Sequence, residues 1–203
     1  MAQTRSDRRY SVGFLFDEIL LFIFGRVDNE PIEYGCMNPS DILKNKRFVV
    51  YGAPASGKTT LMKLLRDTHK LPETDLDDEI LIQNEGIWPE DSTYRNREIV
   101  PLALERVAKS EVLHFFTSGM NELFAQNLHA SGATIFLLKL DEESLQTRNQ
   151  KRMREEGIGD VTVEFQKNLV SQERYASIID CALDATKAPE EILQDMCRYF
   201  LQK

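Results

Sequence analysis

From Lys46 onward, short apolar runs alternate with stretches in which apolar residues recur every three to four positions. The first pattern predicts buried strands and the second predicts amphipathic helices. Strands are expected over residues 48–51, over a short segment ending at Asp75, and over 112–117, 134–140 and Cys181–Asp184. Helices are expected over 59–69, about 93–109, 142–156, 165–177 and Pro189–Leu201. Strands joined by helical crossovers imply an α/β fold, a five-stranded parallel sheet covered by helices on both faces in three layers, α/β/α. Pro72 falls in the second strand segment and assigns it to an edge, where a missing N–H is tolerated. Pro101 falls inside a helical pattern, so it kinks that helix or starts a second one.

The N-terminal part reads differently. Residues 14–24 are mostly apolar and follow Arg5, Arg8 and Arg9, as a secretory leader would. Asp17 and Glu18 interrupt the run, however, and no small-residue cleavage site follows. The run is also shorter than the roughly 20 residues that span a bilayer, so no stable membrane insertion is expected. It packs on the rest of the chain, or serves as a dimer arm or a peripheral membrane contact; a second copy of the chain is therefore a candidate partner. Asp28-Asn29-Glu30-Pro31 reads as a turn, and Asn38-Pro39-Ser40-Asp41 as a turn or a helix start. The expected division is an extension over 1–45 and one domain over 46–203, since a chain of 203 residues with 42% hydrophobic content can bury one good core.

Charge and cysteine content narrow the function classes. A net charge of −8 argues against nonspecific nucleic-acid binding, which draws its affinity from a basic face. Cys36, Cys181 and Cys197 form no Cys-x-x-Cys pair, which suits a reducing, cytoplasmic setting without a zinc or disulfide framework. His69, His114 and His129 lack metal-ligand spacing and are expected in core or surface roles.

The candidate chemistry begins directly after the first strand. Gly52-Ala53-Pro54-Ala55-Ser56-Gly57-Lys58-Thr59-Thr60 fills every position of a phosphate-binding loop, the P-loop, and a helical pattern follows. Such a loop aims backbone N–H groups and a helix N-terminus at one point, where a polyphosphate binds. Gly52, Ala55, Ser56, Gly57, Lys58, Thr59 and Thr60 are thus candidate ATP ligands, with Lys58 reaching the β/γ-phosphates and the Thr59 hydroxyl on Mg²⁺. Asp75 and Asp77, at alternate positions on an expected strand end, project the same way. They share a metal's water shell, or one accepts a proton from a substrate hydroxyl, or the segment is a solvated acidic helix start. Arg148, Lys151, Arg152 and Arg154 are a dense basic cluster, read either as a lid over phosphates or as a solvated helix face with pairs such as Arg152–Glu156. Trp88, between the acidic pair and Arg95, is a pocket wall or a buried anchor, and Ser118 a substrate donor or a cap for a helix beginning near Asn121.

The loop, then Asp75-Leu76-Asp77, then Tyr94-Arg95-Asn96-Arg97-Glu98, resembles the shikimate kinases and, more loosely, the nucleoside monophosphate kinases. The resemblance implies that Asp75 helps to place Mg²⁺ and that Asp77 orients or deprotonates the acceptor hydroxyl. It further implies that Arg95 binds an anionic group with Glu98 holding it, that Arg148 packs on adenine, and that Arg152 or Arg154 reaches the γ-phosphate from the lid. Lys58, Asp77 and Arg152 would then be the catalytic set. Two departures bear on the substrate. The triple-glycine turn of that family is Thr117-Ser118-Gly119-Met120 here, leaving Gly119 alone to allow close approach of substrate. No arginine follows Tyr175, where a second substrate arginine is expected. The resemblance therefore implies an ATP- and Mg²⁺-dependent kinase of a hydroxyl on a small anionic metabolite other than shikimate. A nucleoside or nucleotide kinase, and an ATP-dependent interaction module without turnover, are the alternatives.

Overall fold

Arg47–Gly52 (β1) lies at the centre of the sheet because its side chains are apolar on both faces. Phe48 and Val50 enter one core while Val49 and Tyr51 enter the other, the period-two alternation of a strand. The computed structural model describes residues 38–203 except 112, 156, 158, 160 and 161. The readings of residues 14–24, of the turn at 28–31, of Cys36 and of the Arg152–Glu156 pair lie outside these residues.

The sheet has five parallel strands in the order β2-β3-β1-β4-β5, as the alternation implied. The others are Thr74–Asp75 (β2), Leu113–Thr117 (β3), Thr134–Lys139 (β4) and Cys181–Asp184 (β5). Lys58–Asp67 (α2) and Pro189–Leu201 (α9) cover one face, with Leu61, Leu65, Ile192 and Met196 buried against it. Val100–Lys109 (α5) and Glu122–Ala130 (α6) cover the other, through Leu104, Val107, Phe124 and Leu128. The chain leaves β1 between β3 and β4, and ligands of open α/β sheets bind at such a switch point, beyond the strands' carboxyl ends.

Several local differences from the expected pattern have physical causes. Asn38 starts a short helix, Pro39–Leu43 (α1), by accepting from Ser40 N–H at 3.1 Å, and Leu43 is fully buried in the core. β2 is an edge strand, but Pro72 precedes it rather than lying in it. The Pro72 carbonyl faces His114 Nδ1 at 2.7 Å, and His114 is a core residue whose pKa burial pulls down. The chain bends straight from β2 into Leu76–Gln83 (α3), a helix missing from the sequence pattern because Ile82 is exposed and the stripe is weak.

The helical pattern about 93–109 is a run of three parts: Ser92–Tyr94 (α4), a π-helical turn Arg95–Ile99, then α5. Pro101 has no N–H to return to the preceding turn, and the register shifts just before it, where Val100 N–H bonds the Arg95 carbonyl. α6 begins where a helix was expected, near Asn121, but its cap is Asn121 itself, accepting from Phe124 N–H at 2.8 Å, rather than Ser118. Glu142–Glu155 (α7) matches the expectation to one residue, whereas 165–177 divides into Thr162–Arg174 (α8) and a 3₁₀ turn, Ala176–Ile178. Among the described residues no helix is long and apolar enough to cross a membrane.

Candidate functional site

The loop after β1 is built from two left-handed residues and one forced close approach. Ala55 has φ +64° and Gly57, which precedes α2, has φ +103°. At Gly52 the constraint is space: a Cβ there would lie 2.7 Å from Ser56 Oγ and 3.0 Å from Leu138 Cβ. Gly52→Ala is thus expected to push the loop off β4 at a cost of about 1–3 kcal/mol, the range for overpacking. Thermal melting measures this, and an unchanged midpoint would contradict the packing. Ser56 is 1% exposed, and its Oγ finds no hydrogen-bond partner among the described residues. A buried unpaired hydroxyl costs on the order of 1–3 kcal/mol, so the loop holds a donor suited to an incoming anion.

Lys58 folds back along the loop and donates from Nζ to the Gly52 and Ala53 carbonyls, each at 2.8 Å. Burial, and next the repulsion of Arg152, push its pKa down to about 7, while Asp75 and Asp77 oppose them. The loop lysine, the acidic pair and one arginine of the basic cluster therefore share one electrostatic neighbourhood.

Asp75 is both the last residue of β2 and the N-cap of α3, where it accepts from Asp78 N–H at 2.9 Å. Asp77 lies in the first turn of α3, which corrects the expected pair of alternate positions on a strand end. The strand reading holds for Asp75 and the helix-start reading for Asp77, because the chain turns between them. Desolvation raises the pKa of both carboxylates above the usual range. Asp77 is raised further by Asp75 and Asp78, with Arg95 and Lys58 pulling the other way.

Arg95 faces Asp77 electrostatically from the start of the π-helical turn. Its guanidinium carbon lies 5.1 Å from the centre of the Trp88 ring, and its NH1 donates to the Pro89 carbonyl at 3.4 Å. Glu98, expected to hold Arg95, is exposed and forms no ion pair with it among the described residues; Trp88 and Pro89 hold it instead. Gly119 lies past β3 in open space, with nothing within 4 Å of a Cβ built on it and no left-handed φ. Its N–H and carbonyl both bond Thr117 Oγ1, at 3.1 and 2.6 Å, so this turn is fixed by Thr117 and not by glycine's freedom.

Beside the loop opens a cleft of about 460 Å³. Its lining includes residues 55–60 together with Lys63, Arg148, Lys151, Arg152 and Lys187, and among the described residues no carboxylate. Lys187 carried no signal in the sequence, since only the fold returns it to the loop, whereas Lys63 lies one turn along α2 from Thr59. Arg148 spans the cleft, donating to the Ser56 carbonyl at 3.2 Å and the Ala185 carbonyl at 2.7 Å. Both bonds use the edge of the guanidinium, leaving its face for a planar partner. Arg152 lines the cleft, whereas Arg154 Nε donates to the Gln150 carbonyl of its own helix at 3.2 Å. A second hollow of about 500 Å³ lies between α3 and α5 and involves Leu102, Glu105 and Arg106, not the loop.

A polyphosphate fits this site on three counts: an orphaned buried hydroxyl, a glycine that packing requires, and a wall of cations. Among the described residues no three His, Cys, Asp or Glu side chains gather as a metal cage. Asp75 and the exposed Thr59 hydroxyl instead offer the sparse hard-oxygen set that suits Mg²⁺, which keeps several waters and leans on phosphate oxygens.

No protein-family model and no curated protein matches the sequence. Solved structures do match. The shikimate kinase of Bacteroides thetaiotaomicron has a TM-score of 0.60 at 19% identity, over 78% of this chain and 99% of that one. The shikimate kinase of Aquifex aeolicus has 0.59 at 20% identity, over 76% and 96%. A gluconokinase of Sinorhizobium meliloti has 0.54 at 18% identity, over 78% and 93%. The fold of this chain is that of the P-loop small-molecule kinases.

Proposed function

We propose that the protein is an ATP- and Mg²⁺-dependent phosphotransferase acting on a hydroxyl of a small anionic metabolite, similar to a shikimate kinase but with another substrate. One observation carries this reading: Asp75, Asp77 and Arg152 all act on Lys58, beside a cleft walled by cations. Residues 52–60 would cradle the phosphates through backbone N–H groups, with the Ser56 hydroxyl gaining the acceptor it lacks. Lys58 would leave the Gly52 and Ala53 carbonyls for the β/γ-phosphates, and Arg148 would stack on adenine. Mg²⁺, held by Thr59 and Asp75, would supply charge neutralisation on the transferring oxygens. Asp77 would orient the acceptor hydroxyl and take its proton, and Arg95 would hold the acceptor's anionic group. Arg152 is favoured over Arg154 as the lid arginine because it lines the cleft. Positioning and electrostatics carry such a reaction, with little covalent work for the protein.

Exposed Gly119 would line the acceptor's entrance. The division at residue 45, the cytoplasmic setting and the pairing of copies through the N-terminal segment stay proposals of the same kind. ADP release from Mg·ATP across shikimate, sugar acids, nucleosides and nucleoside monophosphates tests the substrate class. Stimulation by a sugar acid or another hydroxy acid with shikimate inert supports the reading. Stimulation by shikimate overturns its substrate, and stimulation by nucleosides or nucleotides alone replaces it with a nucleotide kinase. ATP binding with no stimulation by any acceptor replaces it with the interaction module.

A further inference from the structure

Glu79 is a buried carboxylate, 5% exposed, just beyond the more open Asp75 and Asp77. Both of its oxygens are occupied. Oε1 accepts from the Thr74 hydroxyl at 2.9 Å, and Oε2 accepts from the Arg106 guanidinium at 2.5 Å. Thr74 immediately precedes Asp75 in β2, Glu79 follows Asp77 in α3, and Arg106 belongs to α5, which continues the helical run from Arg95. One buried side chain therefore ties together the strand end of Asp75, the helix of Asp77 and the helical run of Arg95.

We infer that Glu79 is a positioning residue, whose two bonds set the separation between the carboxylate pair and Arg95. Its catalytic consequence rests on the phosphotransfer reading; its geometric consequence does not. Stability alone does not account for such a group. Only the Glu79 side of the pair is buried, Arg106 being half-exposed, and desolvating a carboxylate offsets much of the attraction it gains. What the carboxylate adds is direction, because charge-assisted hydrogen bonds are short and hold their geometry. Asp77 and Arg95 reach the site from separate elements, so the acceptor's fit depends on how those elements are joined.

The test compares Glu79→Ala with Glu79→Gln in the full chain, reading acceptor kinetics, ATP affinity by calorimetry and the emission of Trp88. Trp88 is the chain's sole tryptophan, and its contact with Arg95 reports the position of that arginine without any turnover. Glu79→Ala is expected to lower kcat/KM for the acceptor by about tenfold or more, the scale of a small misplacement of reacting groups. ATP affinity stays unchanged and Trp88 emission shifts. Glu79→Gln, which keeps the shape and can bond both partners, restores the emission and most of the activity. A folded Glu79→Ala with wild-type emission and kinetics overturns the inference, as does a parallel loss of ATP affinity and turnover. If Glu79→Ala does not fold, Arg106→Met removes one of the two bonds from a half-exposed partner and gives the same readouts. A wild type inactive on every acceptor, with emission still shifted by Glu79→Ala, refutes the phosphotransfer reading and supports the positioning role.

Discussion

Asp77→Asn is expected to cut acceptor-dependent turnover by about 10²–10⁴-fold, the range for losing a positioned general base, while ATP affinity stays close to wild type. The variant keeps the size of the side chain and the first turn of α3, and removes the carboxylate's charge together with its capacity to take a proton. Asp77 is suited to that task because desolvation, together with Asp75 and Asp78, keeps its pKa above the ordinary carboxylate range. A base works only when deprotonated, so wild-type kcat/KM should fall as pH drops through this raised pKa. The acid limb of the profile should therefore lie above the normal carboxylate range. Initial rates across pH check both statements. An unchanged rate for Asp77→Asn would remove Asp77 from the mechanism.

Lys58→Ala is expected to lose turnover by on the order of 10²–10³-fold or more, the cost of removing one preorganised charge from a transferring group. ATP affinity should weaken as well, by about 1.5–3 kcal/mol, the worth of hydrogen bonds to a charged group. The same residue leaves a mark on stability. The unfolded chain titrates Lys58 at its ordinary 10.5 and the native chain at about 7, so between these values the unfolded state holds the extra proton. Stability rises with pH wherever the unfolded state binds more protons, so Lys58 contributes a rise from about pH 7 to 10.5. Chemical denaturation at several pH values should show a shallower rise in Lys58→Ala than in wild type. Parallel curves for the two proteins would contradict the half-buried lysine with its depressed pKa.

The centre of the sheet was legible because β1, β3 and β4 are buried on both faces. Phe48-Val49-Val50-Tyr51 reads as a strand from composition alone, and the alternation with helices dictates parallel pairing. α9 was legible to the residue, its start marked by Pro189 and its stripe by Ile192, Leu193 and Met196. α3 was not, since its polar first turn and exposed Ile82 weaken the apolar stripe. The π-helical turn shifts hydrogen bonds by one residue, and only Pro101 hints at it.

At the site, the loop could be read because its chemistry is local and contiguous. The contacts that aim Arg95 and Asp77 could not. Trp88 and Pro89 replace Glu98 as the support of Arg95, and Glu79 reaches Arg106 across 27 positions of sequence. Such contacts depend on how α3 and α5 pack, which no spacing rule encodes. The cation wall was likewise half visible, with Arg148, Lys151 and Arg152 clustered in sequence, Lys63 one turn past the loop, and Lys187 joined to them by the fold alone.

The most direct test of phosphoryl transfer follows the phosphorus itself, by ³¹P NMR of Mg·ATP incubated with an acceptor panel, wild type beside Lys58→Ala. A new phosphomonoester signal that needs wild-type protein, Mg²⁺ and one acceptor, and that is lost with Lys58→Ala, is the expected result. ATP that stays intact with every acceptor, or a signal equally strong with Lys58→Ala, would contradict it.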